Sequence, residues 1–184
     1  MIDIAKVEDI LKRPKLKDGY EKYISIMSKI KETNIALDLQ LQKEYKLFYR
    51  VARRSITFCN EYFAILEELK NSEIDFPTIF KRVKNIKGSC EISFSSKLVH
   101  TINPNFPIWD SIVTKGHFRI SAPYYQIKNK EQICCERYEQ YYSEFKNYMN
   151  TQEGKILINK FDEAFPDNNI TNIKKIDFIL WQDR

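Results

Sequence analysis

Apolar residues along the chain recur at intervals of three and four positions, which is the spacing of one face of an α-helix. The clearest example is the stripe between Ile35 and Leu69. It consists of Leu37, Leu41, Tyr45, Phe48, Ala52, Ile56, Cys59, Phe63 and Leu66. This pattern predicts either one long helix or two helices joined by a bend.

The same spacing predicts helices along the rest of the chain. They cover approximately residues 3–12, 18–31, 75–83, 93–102, 131–149 and 151–165, and the last begins after Thr171 as its N-cap. Residues 84–89 have the composition of a loop. The four glycines and six prolines of the 184-residue chain fall between these segments, which leaves little material for the turns of a β-protein. We therefore expect an all-α protein that forms a compact multi-helix single domain over residues 1–184.

Composition and motif content bear on where the protein is located and on which ligands it binds. No apolar run approaches the roughly 18 residues of a membrane span, and the first residues lack the order of a signal peptide, so we expect a cytoplasmic protein without a membrane partner. The four cysteines form no CxxC pair and are expected to be reduced. His100 and His117 have no ligand-type residue at a familiar spacing, and no Gly-rich phosphate loop is present, so neither a metal nor a cofactor is expected.

The balance of charge is mildly basic. Thirty Lys and Arg residues against 25 Asp and Glu residues give a formal charge of +5, which is compatible with nucleic acid as a partner. Lys-rich proteomes produce the same balance without such a partner. Two basic clusters stand out in the sequence, Arg50-Arg53-Arg54 and Lys81-Arg82-Lys84-Lys87.

Residues 91–120 contain the two polar residues that we select as candidates for chemistry. Lys97 lies within the predicted helix 93–102, at the border of its apolar face. The following residues 103–107 include two prolines and predict an extended turn. Asp110 comes after this turn and is placed to cap the next helix.

Several segments of the chain resemble a known family. They are Phe94-Ser95-Ser96-Lys97-Leu98 with Asn103-Pro104, Pro107-Ile108-Trp109-Asp110, and the final Lys175-Ile176-Asp177-Phe178-Ile179-Leu180-Trp181. This combination of a lysine-bearing helix, a proline-rich turn and an aspartate at a helix N-terminus resembles the catalytic core of the helix-hairpin-helix (HhH-GPD) DNA glycosylases. It is most similar to small bacterial oxoguanine-glycosylase-like proteins. The resemblance implies their all-α fold and a DNA partner.

The resemblance also implies a role for each candidate. Lys97 matches the lysine that attacks the sugar C1′, and Asp110 matches the aspartate that activates this nucleophile and offsets the charge of an oxocarbenium-like transition state. An amine is nucleophilic when desolvation or a neighbouring group favours its neutral form, and a buried carboxylate stabilises developing positive charge. If these roles are correct, both side chains line one concave pocket.

Four further residues, Ser96, Trp109, Lys84 and Lys87, are candidates for substrate contact. Trp109 has the flat ring needed to stack on a flipped base, although a tryptophan between a proline and a helix more commonly packs in the core. Lys84 and Lys87 flank the candidate segment and are of the type that contacts phosphate. The alternative for these two lysines is a solvated helix face.

One part of the family pattern is missing from this sequence. The Leu-Pro-Gly-x-Gly-like turn that precedes the lysine in the family is replaced by residues 86–93, in which Gly88 is the one glycine. Two functions therefore remain open. The first is a base-excision-type N-glycosylase acting on DNA or a nucleotide-like substrate. The second is a non-catalytic helical module that keeps the glycosylase-like fold and binds nucleic acid or protein.

Overall fold

The computed structural model describes residues 2–51, 54–124 and 126–183, and for Lys87 it describes the backbone alone. Within these ranges every regular element is helical, so the prediction of an all-α protein is confirmed. A 3-10 helix, Ile4–Lys6, precedes the α-helices. These are α1 (Val7–Leu11), α2 (Pro14–Glu32), α3 (Leu39–Phe48), α4 (Ile56–Leu69), α5 (Phe76–Lys87), α6 (Ile92–Ile102), α7 (Ser111–Gly116), α8 (Lys130–Asn150), α9 (Gln152–Ala164) and α10 (Asn172–Gln182).

Side-chain caps fix where many of these helices begin. A Ser, Thr or Asp at the N-cap accepts a hydrogen bond from a backbone N–H that the helix itself leaves unpaired, and such a cap contributes about 1 kcal/mol. The capping residues of α3, α4, α5, α7, α9 and α10 are Asp38, Ser55, Asp75, Asp110, Thr151 and Thr171. The predicted caps Asp110 and Thr171 are both confirmed.

The apolar stripe between residues 35 and 69 folds as two separate helices. Helix α3 ends at Phe48 because Arg50 adopts a left-handed backbone conformation with φ 55°. The Val51 N–H then donates to the Lys46 carbonyl at 2.9 Å, which completes a Schellman-type helix end. Ala52, which continued the predicted stripe, lies outside the described residues.

Two predicted boundaries were wrong, and each error has a local cause. Helix α2 begins at Pro14 and not near Asp18, because a proline in the first helical position lacks only an N–H that would have no partner there. Helix α5 extends to Lys87, through residues predicted to form a loop. It ends at Gly88, whose φ of 71° is the left-handed conformation that glycine adopts without steric cost.

Helix α10 lies at the centre of the molecule. It contacts α1, α2, α7, α8 and α9, and every residue from Ile173 to Leu180 is buried. A helix that is buried on all sides has no solvent-facing stripe, so its polar residues must find partners inside the protein. Lys174 and Asp177 are two such residues, and their contacts belong to the site described below.

Helix α8 holds the proline-containing turn in place. Its buried face consists of Cys134, Tyr138, Tyr141, Phe145 and Tyr148. The Tyr138 hydroxyl donates to the Pro107 carbonyl at 2.8 Å, and the Tyr141 hydroxyl donates to the Ile108 carbonyl at 3.2 Å. These two bonds fix the backbone immediately before Asp110.

The described helices include none with both the length and the apolar character that a membrane crossing demands. None of the four cysteines is in a disulfide in the structure.

Candidate functional site

Lys97 projects from α6 into a largely dehydrated environment. The residue is only 7% exposed, although a lysine ordinarily extends its ammonium into water. Its Nζ donates to the Ser93 Oγ at 3.1 Å and lies 5.3 Å from the centre of the Phe94 ring. One hydroxyl and one aromatic face do not replace the hydration shell of an ammonium group.

The pKa of Lys97 is lowered to about 8. Burial is the largest cause, because it disfavours the charged form of an amine. The carboxylate of Asp110 acts in the opposite direction and raises this pKa, whereas the nearby Arg50 and Arg54 lower it further. At neutral pH a far larger fraction of this amine is therefore neutral than of an ordinary lysine.

Asp110 is held in one pose by its position at the start of α7. Its backbone is extended, with φ −118° and ψ 134°, and its Oδ1 accepts a hydrogen bond from the Ile112 N–H at 2.9 Å. The Thr114 side chain donates to the Asp110 carbonyl at 3.0 Å. The carboxylate is thus oriented by the helix cap and has a second oxygen available to other groups.

Both candidates line the same cavity, as their proposed roles require. The cavity has a volume of about 610 Å³, within the range of roughly 300–1,000 Å³ that is typical of small-molecule sites. Its walls come from α2, α3, α6 and α10, together with the turn before α7. The buried lining residues form a floor that includes Lys97, Ile108, Lys174 and Asp177. The exposed lining residues form a rim that includes Lys15, Asp18, Lys22, Leu47 and Arg50.

A second amine and carboxylate lie on the cavity floor. Lys174 Nζ and Asp177 Oδ2 are 2.7 Å apart, and both residues are buried on α10. The Lys174 ammonium also lies 4.4 Å from the centre of the Phe178 ring and 4.9 Å from that of Tyr23. Burial is the main reason why the pKa of Asp177 is raised, and the charge on Asp110 raises it further. Asp110 therefore affects both Lys97 and Asp177 electrostatically.

Sequence reasoning missed the Lys174–Asp177 pair as part of the site. The segment containing Asp177 was noted for its resemblance to the family, but no role was assigned to it. The available signal was a pair of opposite charges three positions apart in a helix that is otherwise strongly apolar. Such a pair lies on one face and is costly to bury unless its members contact each other.

Ser96 and Trp109 are structural neighbours of the site and do not line the cavity. The Ser96 Oγ accepts a hydrogen bond from the Trp109 N–H at 2.9 Å and donates to the Ser93 carbonyl at 3.0 Å. Trp109 is 5% exposed and packs edge-to-face against Tyr141, so it occupies the core. Together they join α6 to the turn that carries Asp110.

The second basic cluster does not line the cavity either. Lys84 forms an ion pair with Glu131, and Arg82 forms a bidentate pair with Glu68. The side chain of Lys87 lies outside the described part of the structure. In the first cluster, Arg53 is likewise outside the described residues.

His100 is a buried structural residue. Its Nδ1 lies 2.7 Å from the Phe106 carbonyl, which can only accept, so Nδ1 carries the proton and Nε2 accepts from the Tyr23 hydroxyl at 3.2 Å. Burial lowers its pKa to about 3, which keeps the ring neutral. Among residues 2–51, 54–124 and 126–183, no three His, Cys, Asp or Glu side chains are arranged to hold a metal ion.

A buried chain of hydroxyl groups supports the helix that carries Lys97. The Tyr45 hydroxyl lies 3.1 Å from both the Tyr62 hydroxyl and the Thr101 Oγ1. The Thr101 hydroxyl donates to the Lys97 carbonyl at 2.7 Å, and the Tyr62 hydroxyl donates to the Phe94 carbonyl at 3.0 Å. Helices α3 and α4 thereby set the position of α6.

Comparison of the chain with protein-family models, with curated proteins and with solved structures gives no significant match.

Proposed function

We propose that this protein cleaves the N-glycosidic bond of a nucleotide unit, in DNA or in a nucleotide-like substrate, with Lys97 as the nucleophile and Asp110 as its electrostatic partner. The observation that carries the proposal is the desolvated Lys97 amine on the floor of a cavity that Asp110 also lines. A cavity that joins an amine of lowered pKa to a fixed carboxylate has the features of a catalytic site.

The low pKa of Lys97 suits a nucleophilic role. With a pKa of about 8, roughly one molecule in ten has a neutral amine at pH 7, against fewer than one in a thousand for an ordinary lysine. The lone pair of Nζ attacks C1′ of the sugar, and the new C–N bond forms as the glycosidic bond breaks. The base leaves with the bonding electron pair and receives the proton that the attacking nitrogen gives up. The C1′–O4′ bond then breaks as the nitrogen lone pair forms the C1′=N bond of a protonated Schiff base with Lys97, and its electron pair stays on O4′, which takes up a proton from water.

Asp110 acts on the charge that develops during this reaction. As the base departs, positive charge accumulates on C1′ and the ring oxygen, and an oriented carboxylate at the cavity wall stabilises it. The hydrogen bond from the Ile112 N–H holds the carboxylate in place before the substrate arrives. Preorganisation of this kind avoids the reorganisation that water would require.

Borohydride trapping provides the test of this proposal. The protein is incubated with uracil-bearing and oxidised-base oligonucleotides and with nucleotides carrying the same bases, because hydride adds to the C1′ of a Schiff base and makes the bond to Lys97 permanent. We expect an adduct with at least one substrate, identified by mass spectrometry, and its loss in Lys97→Ala. Lys29→Ala, which removes a lysine paired with Glu44 on the same cavity, is the matched control. Absence of both adduct and base release across the panel would refute the proposal.

The competing function is a non-catalytic helical binding module. Two ion pairs favour it, because the Lys84 and Arg82 side chains are bound to Glu131 and Glu68. In a hairpin that contacts DNA, such cations would point towards phosphate. The turn between α5 and α6 also contains a single glycine. If ligands bind in the cavity without base release or adduct, this alternative replaces the enzyme.

A further inference from the structure

The charges around the cavity are not balanced. Six cationic and four acidic side chains line it. Three ion pairs with N–O distances of 2.7 Å account for most of them: Lys22 with Asp18, Lys29 with Glu44, and Lys174 with Asp177. The charges that remain are those of Lys15, Arg50, Lys97 and Asp110. Three cations against one carboxylate leave an excess of positive charge, which favours an anionic ligand.

Two cations on the rim lie over the same aromatic ring. The Lys15 Nζ lies 5.3 Å from the centre of the Trp181 ring, and the Arg50 guanidinium carbon lies 5.1 Å from it. No carboxylate of the described residues forms an ion pair with either of them. An aromatic face attracts a cation but is not a counter-charge. An anion bound at this rim would supply one for both cations.

Regular backbone structure carries both cationic side chains. Lys15 lies in the first turn of α2, directly after Pro14. Arg50 is the left-handed residue of the Schellman-type turn that ends α3, and this turn sets where its side chain leaves the backbone. Trp181, on α10, presents its ring to both side chains. The three residues therefore come from α2, from the turn that ends α3, and from α10.

From these observations we infer that Lys15 and Arg50 form a phosphate-binding site at the rim of the cavity and hold the phosphate of the nucleotide whose sugar and base enter towards Lys97. A guanidinium forks onto two phosphate oxygens and an ammonium acts as a point charge, so the two cations together suit a phosphate group. This inference rests on the proposed function, because that function places a nucleotide unit in the cavity. The phosphate belongs either to a free mononucleotide or to a nucleic-acid strand.

Binding measurements with Trp181 as the reporter test this site. The chain has two tryptophans, so Trp109→Phe leaves Trp181 as the sole fluorophore, and Lys97→Ala prevents turnover. This double variant is titrated with inorganic phosphate, with 2′-deoxynucleosides, with their 5′-monophosphates and with a short single-stranded oligonucleotide. We expect at least one phosphate-bearing ligand to bind about 10-fold or more tightly than the matching nucleoside. Mononucleotide binding identifies a free nucleotide, and binding of the oligonucleotide alone identifies a strand.

Substitutions on the rim assign the effect to residues. In the same background, Lys15→Gln with Arg50→Gln should abolish the preference for phosphate. The matched control is Lys22→Gln, which removes a rim lysine that is already paired with Asp18. Thermal unfolding of each variant establishes that it is folded. The inference is overturned if no phosphate-bearing ligand binds, if nucleoside and nucleotide bind equally, or if the control weakens binding as much as the double substitution. Because these measurements need no Lys97, they stand apart from the adduct assay.

Discussion

Burial of the Lys97 amine destabilises the folded state. Its pKa falls from 10.5 to about 8 on folding, which corresponds to roughly 3 kcal/mol at a pH where both states are charged. Lys97→Met keeps the length of the side chain and removes the charge. We therefore expect this variant to be more stable than the wild type by about 1–3 kcal/mol at pH 7, as measured by urea denaturation. A gain of this kind is common where a polar residue serves function and not stability.

The pH dependence of that gain distinguishes charge from packing. Between pH 8 and 10.5 the unfolded wild type keeps the lysine proton that the folded protein has lost, so the free energy of unfolding rises with pH. The difference in free energy of unfolding between Lys97→Met and the wild type should therefore shrink by about 1.4 kcal/mol for each pH unit above 8. A difference between the two proteins that is the same at pH 7 and pH 9.5 would mean that the amine is not desolvated.

Asp110 both caps α7 and carries a negative charge near Lys97, and two substitutions distinguish these roles. Asp110→Asn retains a side chain that caps helices well, so its stability should stay within about 0.5 kcal/mol of wild type, whereas Asp110→Ala should lose about 1 kcal/mol. The charge of Asp110 raises the pKa of Lys97, so in Asp110→Asn that pKa should fall. The pH profile of adduct formation would then move to lower pH while the maximal rate decreases. An unchanged pH profile and rate would leave Asp110 with capping alone.

The residues of the site differ in how far sequence could predict them. Lys97 and Asp110 belong to one continuous motif, and the structure brings them to one cavity. Lys15 and Arg50 are far apart in sequence, and what they share is a position over the ring of Trp181. Periodicity carries no information about such a contact, since it reports which face of a helix is apolar and not which helices are neighbours.

Among the elements, the α8–α9 junction has the tightest packing around a glycine. Thr151 ends α8 and caps α9, and Gly154 follows in the first turn of α9. A Cβ on Gly154 would lie 2.1 Å from the Tyr148 carbonyl oxygen and 3.0 Å from the Met149 Cα. Both contacts are with backbone, which cannot rotate away as a side chain can.

Gly154→Ala should therefore lose about 3 kcal/mol or more, because the two helices must separate to admit the methyl group. The control is Gly116→Ala at the end of α7, where an added Cβ meets nothing within 4 Å. This second variant should equal the wild type or gain up to about 1 kcal/mol, since alanine favours the helix over glycine. Thermal denaturation of both proteins provides the comparison, and equal melting temperatures would contradict the close approach of α8 and α9.

Helix boundaries could be predicted where their cause is local in sequence, and could not be predicted where it is not. The caps of α7 and α10 were predicted because a capping residue acts within four positions of itself. The break between α3 and α4 was left open, because Arg50 takes a left-handed conformation that glycine or asparagine normally marks. The central position of α10 could not be predicted from its own sequence, because burial on all sides depends on how the other helices assemble around it.

At the scale of the whole molecule, the Lys174–Asp177 pair connects three walls of the cavity. The Lys174 ammonium contacts Tyr23 from α2, Phe48 from α3 and Phe178 from its own helix, while its charge is balanced by Asp177. A buried ion pair of this kind is seldom a net source of stability, because desolvation of both ions offsets their attraction. Its removal as a unit should therefore leave the fold intact, whereas removal of one partner should not.

We expect Asp177→Asn to lose about 3–5 kcal/mol, because it leaves the Lys174 ammonium buried without a counter-charge. The double variant Lys174→Met with Asp177→Leu should lie much closer to wild type. Asp18→Asn is the matched control, because its partner Lys22 is 61% exposed, and it should cost less than about 1 kcal/mol. Urea denaturation of the three variants measures these differences. If Asp177→Asn is as stable as the wild type, the Lys174–Asp177 pair is not shielded from water. If the double variant is folded but forms no adduct, the pair serves the ligand and not the fold.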